Sequence, residues 1–316
     1  MTGPHPAGPP TPPTHPTMTA PPMVEVGPGV FVLRYPVLDV NCTLIVGTSV
    51  ALVVDTLSTT AQADHLVAAV RAVTDAPLAV VNTHAHFDHC FGNIVFAQDT
   101  PGLPIWAHPS TVELLRDHPT RLHRAAYDEA LLLDPALAPD VAATPLLAPD
   151  RVVEQQVTVD IGGREVHLHH LGRGHTEGDV VVWIPDAGVL VAGDLVEEGN
   201  PPSFSDSYPL DWPETLGALR RLAEPGSLLA PVTAPAEDPH GTVDAPAVTV
   251  VPGHGGLVDL DFVAAQQAQL ARLEWLIRDG HRDNAPPEEV AAVAPFGLDT
   301  ALVAVQRGYA ALDGRL

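Results

Sequence analysis

The stretch Thr83-His84-Ala85-His86-Phe87-Asp88-His89 crowds three imidazoles and a carboxylate behind the apolar run Leu78–Val81. Side chains this polar have no packing use at the end of a buried strand, so their density points to metal chemistry. Imidazole suits zinc and iron, and a carboxylate adds the negative charge that holds two divalent ions close together. Three further signals follow downstream: Gly174-His175-Thr176, Ala192-Gly193-Asp194 and Pro252-Gly253-His254-Gly255. Each lies just after or inside a β-like apolar run, where ligands gather in layered α/β folds. The set reads as a dinuclear metal centre in a hydrolase.

Outward from the motif, the pattern alternates strands and helices. Val24–Tyr35 predicts a hairpin around Gly27-Pro28-Gly29, and residues 41–55 predict two strands turning at Gly47-Thr48-Ser49. Residues 59–73 have helical spacing, residues 91–97 begin a further helix, and residues 105–107 form a short strand. Helical character then runs with breaks from 110 to 133. The second half repeats this order, with strands over 151–160, 164–171, 179–184, 189–192 and 248–251 and helices over 213–223 and 261–277. Two such halves predict an α/β fold of two mixed sheets packed face to face, with helices outside. Residues 1–22 are proline-rich and predict a disordered tail. The main domain is expected over 23–280, with a low-order Pro/Ala insertion at about 224–247 and a small helical extension over 281–316.

Composition narrows the chemistry. The formal charge of −24 sets 39 acidic residues against 15 basic ones, and every basic residue is arginine. Without lysine there is no Schiff-base chemistry and no P-loop lysine. So acidic a surface repels phosphate backbones, and no nucleic-acid partner is expected. Cys42 and Cys90 make no disulfide framework and are expected to pack as small apolar residues. No run of eighteen apolar residues predicts a membrane span, and the N-terminus does not resemble a secretory signal, so a cytoplasmic location is expected.

The motif His84-x-His86-x-Asp88-His89, followed in order by His175, Asp194 and His254, resembles the metallo-β-lactamase superfamily from about Val24 to Gly256. The resemblance implies a four-layer αβ/βα sandwich with metals at one edge, between the two sheets. It also implies that His84, His86 and His175 bind one divalent ion and Asp88, His89 and His254 the other, with Asp194 bridging. Zinc is the expected metal, with iron or manganese as alternatives. Asp55, at the end of the strand Ala51–Val54, matches the family's first motif and would support a ligand rather than bind metal. Thr176 could hydrogen-bond a ligand in the same way. Phe204, Tyr208 and Trp212, beside Asp194, are expected at the mouth of a small-molecule substrate site.

On this reading a metal-bridging hydroxide attacks the carbonyl carbon of an ester, thioester, lactone or amide-like substrate, with Asp88 as catalytic proton relay. A mononuclear iron, sulfur-oxidising dioxygenase of the same scaffold is the alternative, and a true β-lactamase a further one. Against the latter, those enzymes place cysteine at Asp194 and arginine at His89. They also commonly place a lysine near Glu197 and Glu198, an acidic pair that would repel a substrate carboxylate. A nuclease of the superfamily conflicts with the charge. Oligomeric state is not legible.

Overall fold

The computed structural model describes residues 21–224 and 248–316; the rest of the expected tail and insertion lies outside the described residues. In the first half, β1 (Val24–Gly27), β2 (Val30–Tyr35), β3 (Val40–Val46) and β4 (Ala51–Val54) lead to α1 (Thr60–Arg71) and β5 (Leu78–Val81). Then come α2 (Phe87–Cys90), α3 (Asn93–Asp99), β6 (Ile105–Ala107), α4 (Pro109–Asp117), α5 (Pro119–Leu133), α6 (Ala138–Ala143) and β7 (Arg151–Val152). The second half holds β8 (Gln156–Asp160), β9 (Glu165–His170), β10 (Val180–Ile184), β11 (Val189–Glu197), α7 (Trp212–Leu222) and β12 (Thr249–His254). Helices α8 (Leu260–Arg282), α9 (Pro287–Ala291) and α10 (Leu298–Leu312) close the chain.

Two mixed sheets result, ordered β7-β6-β5-β4-β3 and β12-β11-β10-β9-β8, with β2 and β1 extending from β3. A single antiparallel pair, Val40 opposite His254, joins them into one hydrogen-bonded network. The seam therefore falls on one of the expected metal ligands. Strand alternation sets the layers, because successive side chains point to opposite faces. Leu52, Val54, Ala79 and Val81 meet Leu168, Val180, Val182 and Val191 in a core between the sheets. Their neighbours Ala51, Val53, Leu78 and Val80 pack outward against Leu66 and Val70 of α1 and Phe96 of α3. Across the molecule, Val181, Trp183 and Leu190 pack outward against Leu216 and Leu219 of α7 and Leu270 and Leu273 of α8. The order helix, sheet, sheet, helix is the four-layer sandwich.

Two differences from the sequence reading have physical causes. The strand expected over 151–160 is two strands: β7 pairs in parallel with β6, whereas β8 pairs with β9. Between them the chain crosses from one sheet to the other, burying Val153 in the shared core. The polar run Glu154-Gln155-Gln156 interrupts the apolar pattern there, but it does not say that the chain changes sheet rather than merely bends. Secondly, α8 runs through 280, where the main domain was expected to end, and Ala301, Ala304 and Val305 of α10 share the core of α7 and α8. No helix among the described residues is long and apolar enough to cross a membrane.

The start of α4 carries a pH-sensitive cap. His108 Nδ1 accepts from the Ser110 N–H at 3.3 Å, so protonation there would remove the cap. Burial, and then the nearby His170, hold the His108 ring down to about 4 from its ordinary 6.5. The unfolded chain takes up that proton first. This contribution to stability is whole above about pH 6.5 and is lost as pH falls towards about 4. A His108→Gln variant should show a flatter melting-temperature profile over that window; superimposable profiles would disprove the cap's role.

Candidate metal centre

Strand β5 delivers the histidine motif. Ala85, Phe87, Cys90 and Phe91 anchor it in an apolar cluster with Leu115, Ala126, Ala130 and Val141. Residues 83–86 bend beyond the strand and bring the rings of His84 and His86 together, with centroids 4.6 Å apart. The single turn α2 then folds Asp88 and His89 back beside them. The Cys90 thiol, buried and raised in pKa by that burial, donates to the His86 carbonyl at 3.2 Å and packs as the sequence suggests.

The far-separated motifs converge here. His84, His86, His175 and Asp194 offer ligand atoms within 4.8 Å of one another, and Asp88, His89 and His254 form a second such group. Asp194 touches both: Oδ1 lies 3.3 Å from His89 Nε2, while Oδ2 lies 3.4 Å from His175 Nε2 and 3.2 Å from His254 Nε2. A Cβ on Gly253 would sit 1.7 Å from Asp194 Oδ1, so only glycine there lets the carboxylate reach its place.

The imidazoles are oriented from behind. His89 Nδ1 donates to Asp55 Oδ2 at 2.8 Å, and His254 Nδ1 donates to the Leu38 carbonyl at 2.7 Å. His84 Nδ1 donates to Thr83 Oγ1 at 3.0 Å, whose hydroxyl donates to Asp55 Oδ2 at 2.8 Å. His86 is reversed: Nε2 donates to Asp206 Oδ2 at 3.1 Å, leaving Nδ1 to face His175 Nε2 at 2.9 Å. Glu197 Oε1 stands 3.5 Å from His175 Nδ1. Four rings thus present one defined nitrogen to the cluster, the arrangement by which proteins fix metal-ligating histidines, while His175 Nδ1 is buried without a hydrogen-bond partner among the described residues.

Donor chemistry fits a cation pair. His84 Nε2 and Asp194 Oδ1 are buried with no hydrogen-bond partner among the described residues. The facing nitrogens of His89 and His254 stand 3.3 Å apart. Two nitrogens on one tetrahedral zinc, at about 2.0–2.1 Å each, stand roughly that far from each other. The carboxylates also favour positive charge. Burial opposes a proton on every ring and prevails at His84 and at His175, which falls to about 4. At His89 burial is outweighed by Asp194, Asp88 and Asp55, and at His254 by Asp194 and Asp88, which raise it to about 10. Protons and metal therefore compete for the same field, and metal affinity should fall with pH.

The model of the family described as the metallo-beta-lactamase superfamily matches residues 35–233, more than half of the chain. The chain belongs to that superfamily. It is 25% identical over 187 residues to a metallo-beta-lactamase type 2 from Bacteroides fragilis, covering 57% of this chain and 63% of the relative. It is 29% identical over 125 residues to a probable metallo-hydrolase, YqgX, from Bacillus subtilis (strain 168), covering 39% and 52%. The chain thus matches less than two thirds of the length of these curated relatives. Among solved structures, a metallo-beta-lactamase from Pontibacter korlensis superposes with a TM-score of 0.57 at 19% identity, over 79% of this chain and 98% of that one. At such identity the likeness shows the superfamily fold alone.

Within this superfamily frame, some expected residues stand elsewhere. Phe204 and Trp212 do not line a mouth: they are 2% and 0% exposed and anchor the core beneath the loop. Trp212 Nε1 donates to the Leu195 carbonyl, which satisfies its one polar atom and permits full burial. Tyr208 is half-buried beneath the Arg173 guanidinium at 4.4 Å. Thr176 supports no ligand either, because its N–H and hydroxyl both donate to the buried Asp179. Burial lifts Asp179 to about 7 despite those bonds. Asp55 lies in the left-handed region at φ 64°, where its two oxygens reach Thr83 and His89 together. Sequence reasoning missed Asp206, Asp179 and Glu129. Burial raises Glu129, and the charges of Asp88 and Asp206 nearby add to it. The acidic pair divides: Glu197 is buried and raised to about 8 by burial and Asp194, whereas Glu198 accepts from Gly256 N at 2.7 Å.

Proposed function

We propose that this chain is a dinuclear metal-dependent hydrolase cleaving an ester, thioester, lactone or amide-like bond of a small molecule. The orientation of the five imidazoles carries the reading, because four have their outward nitrogen hydrogen-bonded and the fifth faces Glu197. His84, His86 and His175 would hold one ion, Asp88, His89 and His254 the other, with Asp194 between. A bound zinc pair supplies a hydroxide nucleophile near neutral pH and a Lewis acid for the carbonyl oxygen. Asp88 is 6% exposed with Oδ2 3.5 Å from His254 Nε2, and it would take the proton released as the nucleophile attacks and return it to the leaving group. Ligands prepared at both positions favour an ion pair over a single iron.

The surrounding charge favours neutral or cationic substrates. Glu129 and Asp206 add negative charge beside the cluster. Nearby arginines are engaged, Arg173 with Asp211 at 2.6 Å and Arg307 with backbone carbonyls. A β-lactam carboxylate would meet no free arginine among these. Elemental analysis of protein purified without added metal, with turnover of an ester, thioester, lactone and β-lactam panel, tests the proposal. Two zinc equivalents and turnover of a panel member are expected. One iron equivalent with a silent panel would overturn it in favour of sulfur oxidation.

A further inference from the structure

The C-terminal helices reach the metal centre through the loop between β11 and α7. Asp206, on that loop, holds Nε2 of His86. The carbonyls on either side of it, Ser205 and Ser207, accept from the guanidinium of Arg307 on α10, at 3.1 Å from Nη1 and 2.7 Å from Nε. One residue upstream, the Phe204 ring lies 5.8 Å from that of Phe296, just before α10. One residue downstream, Tyr208 N donates to the Gly174 carbonyl at 2.8 Å, tying the loop to the segment that carries His175. Arg307 and Phe296 both lie beyond residues 35–233, the span that the family model matches. The attachment thus belongs to this chain's C-terminal helices.

We propose that Arg307 is a positioning residue for the metal centre. Its planar fork clamps the backbone on both sides of Asp206, which fixes the carboxylate on His86 Nε2 and so presents His86 Nδ1 to the ion shared with His84 and His175. A guanidinium can satisfy two carbonyls at fixed spacing, whereas a lysine ammonium is a single mobile point charge. The inference rests on the dinuclear reading above.

The test is zinc competition against a chromophoric chelator on the full chain, with unfolding of the metal-free forms measured in parallel. Arg307→Gln should weaken one of the two zinc equivalents by about tenfold, the scale for a lost orienting partner, and leave the other unchanged. Asp206→Ala should weaken the same equivalent at least as much. The double variant should lose no more than Asp206→Ala alone, because both act through one contact. If Arg307→Gln does not fold, Arg307→Lys carries the test and should show a smaller loss at the same equivalent. A purely structural arginine would lower the unfolding midpoint while sparing both affinities, or weaken both together. Either result, or additive losses in the double variant, overturns the proposal. Two tight equivalents in the parent with an unaffected Arg307→Gln would sink this inference alone; a parent that binds no zinc would sink the dinuclear reading with it.

Discussion

An Asp194→Ala protein is expected to lose at least one metal equivalent and to turn over substrate about a thousandfold more slowly, or worse. Asp194 is the carboxylate that touches both ligand groups, with oxygens 3.3 Å from His89, 3.2 Å from His254 and 3.4 Å from His175. Its burial opposes ionisation, yet His89, His254, His84 and His175 outweigh this and hold it well below the usual carboxylate range. Without it, Asp88 alone would offset two dications. Losing several kcal/mol of charge stabilisation at about 1.36 kcal/mol per tenfold gives the rate effect. Elemental analysis and steady-state turnover of the variant read both losses. Full occupancy with parental activity would disprove the bridging role.

Asp55→Ala is expected to injure the fold and the metal centre together. The side chain is 1% exposed and accepts from the Thr83 N–H, the Thr83 hydroxyl and His89 Nδ1, each at 2.8 Å. Truncation removes the acceptor of all three buried donors and leaves alanine at a positive φ. Breaking a buried, hydrogen-bonded pair typically costs ~3–5 kcal/mol, a large part of the ~5–15 kcal/mol that holds a domain folded. Asp55→Asn separates the effects. It keeps an oxygen for Thr83 but exchanges the acceptor of His89 for an amide donor, so stability should fall less while zinc affinity falls ~10–100-fold. Denaturant unfolding of the metal-free forms and zinc competition measure the two independently. A parental Asp55→Ala protein in both assays would remove Asp55 from this role.

Much of the architecture was legible because it follows from local pattern. The strands Leu78–Val81 and Ile105–Ala107 form where the apolar runs place them, since strands buried on both faces read as unbroken apolar segments. Helix α1 begins where Thr59 offers a capping hydroxyl to Gln62 N. The crossing between β7 and β8 was not legible, because a strand carries no local mark of which sheet it joins. Nor was the fate of Phe204 and Trp212: an aromatic residue in a loop has the same local signature whether it lines a mouth or plugs a core.

The sequence by itself determined which side chains are able to hold a cation, since ligand type and strand-end spacing are properties of the covalent chain. Only the tertiary structure decided which atom of each imidazole is turned towards the cluster. The groups that tie off the opposite nitrogens of His89, His86 and His254 lie 34, 120 and 216 residues away along the chain, at Asp55, Asp206 and the Leu38 carbonyl. The His86 and His254 bonds exist only once the two halves of the chain have closed on each other, and the His89 bond only once β4 and β5 have paired, so no local pattern around either partner announces them.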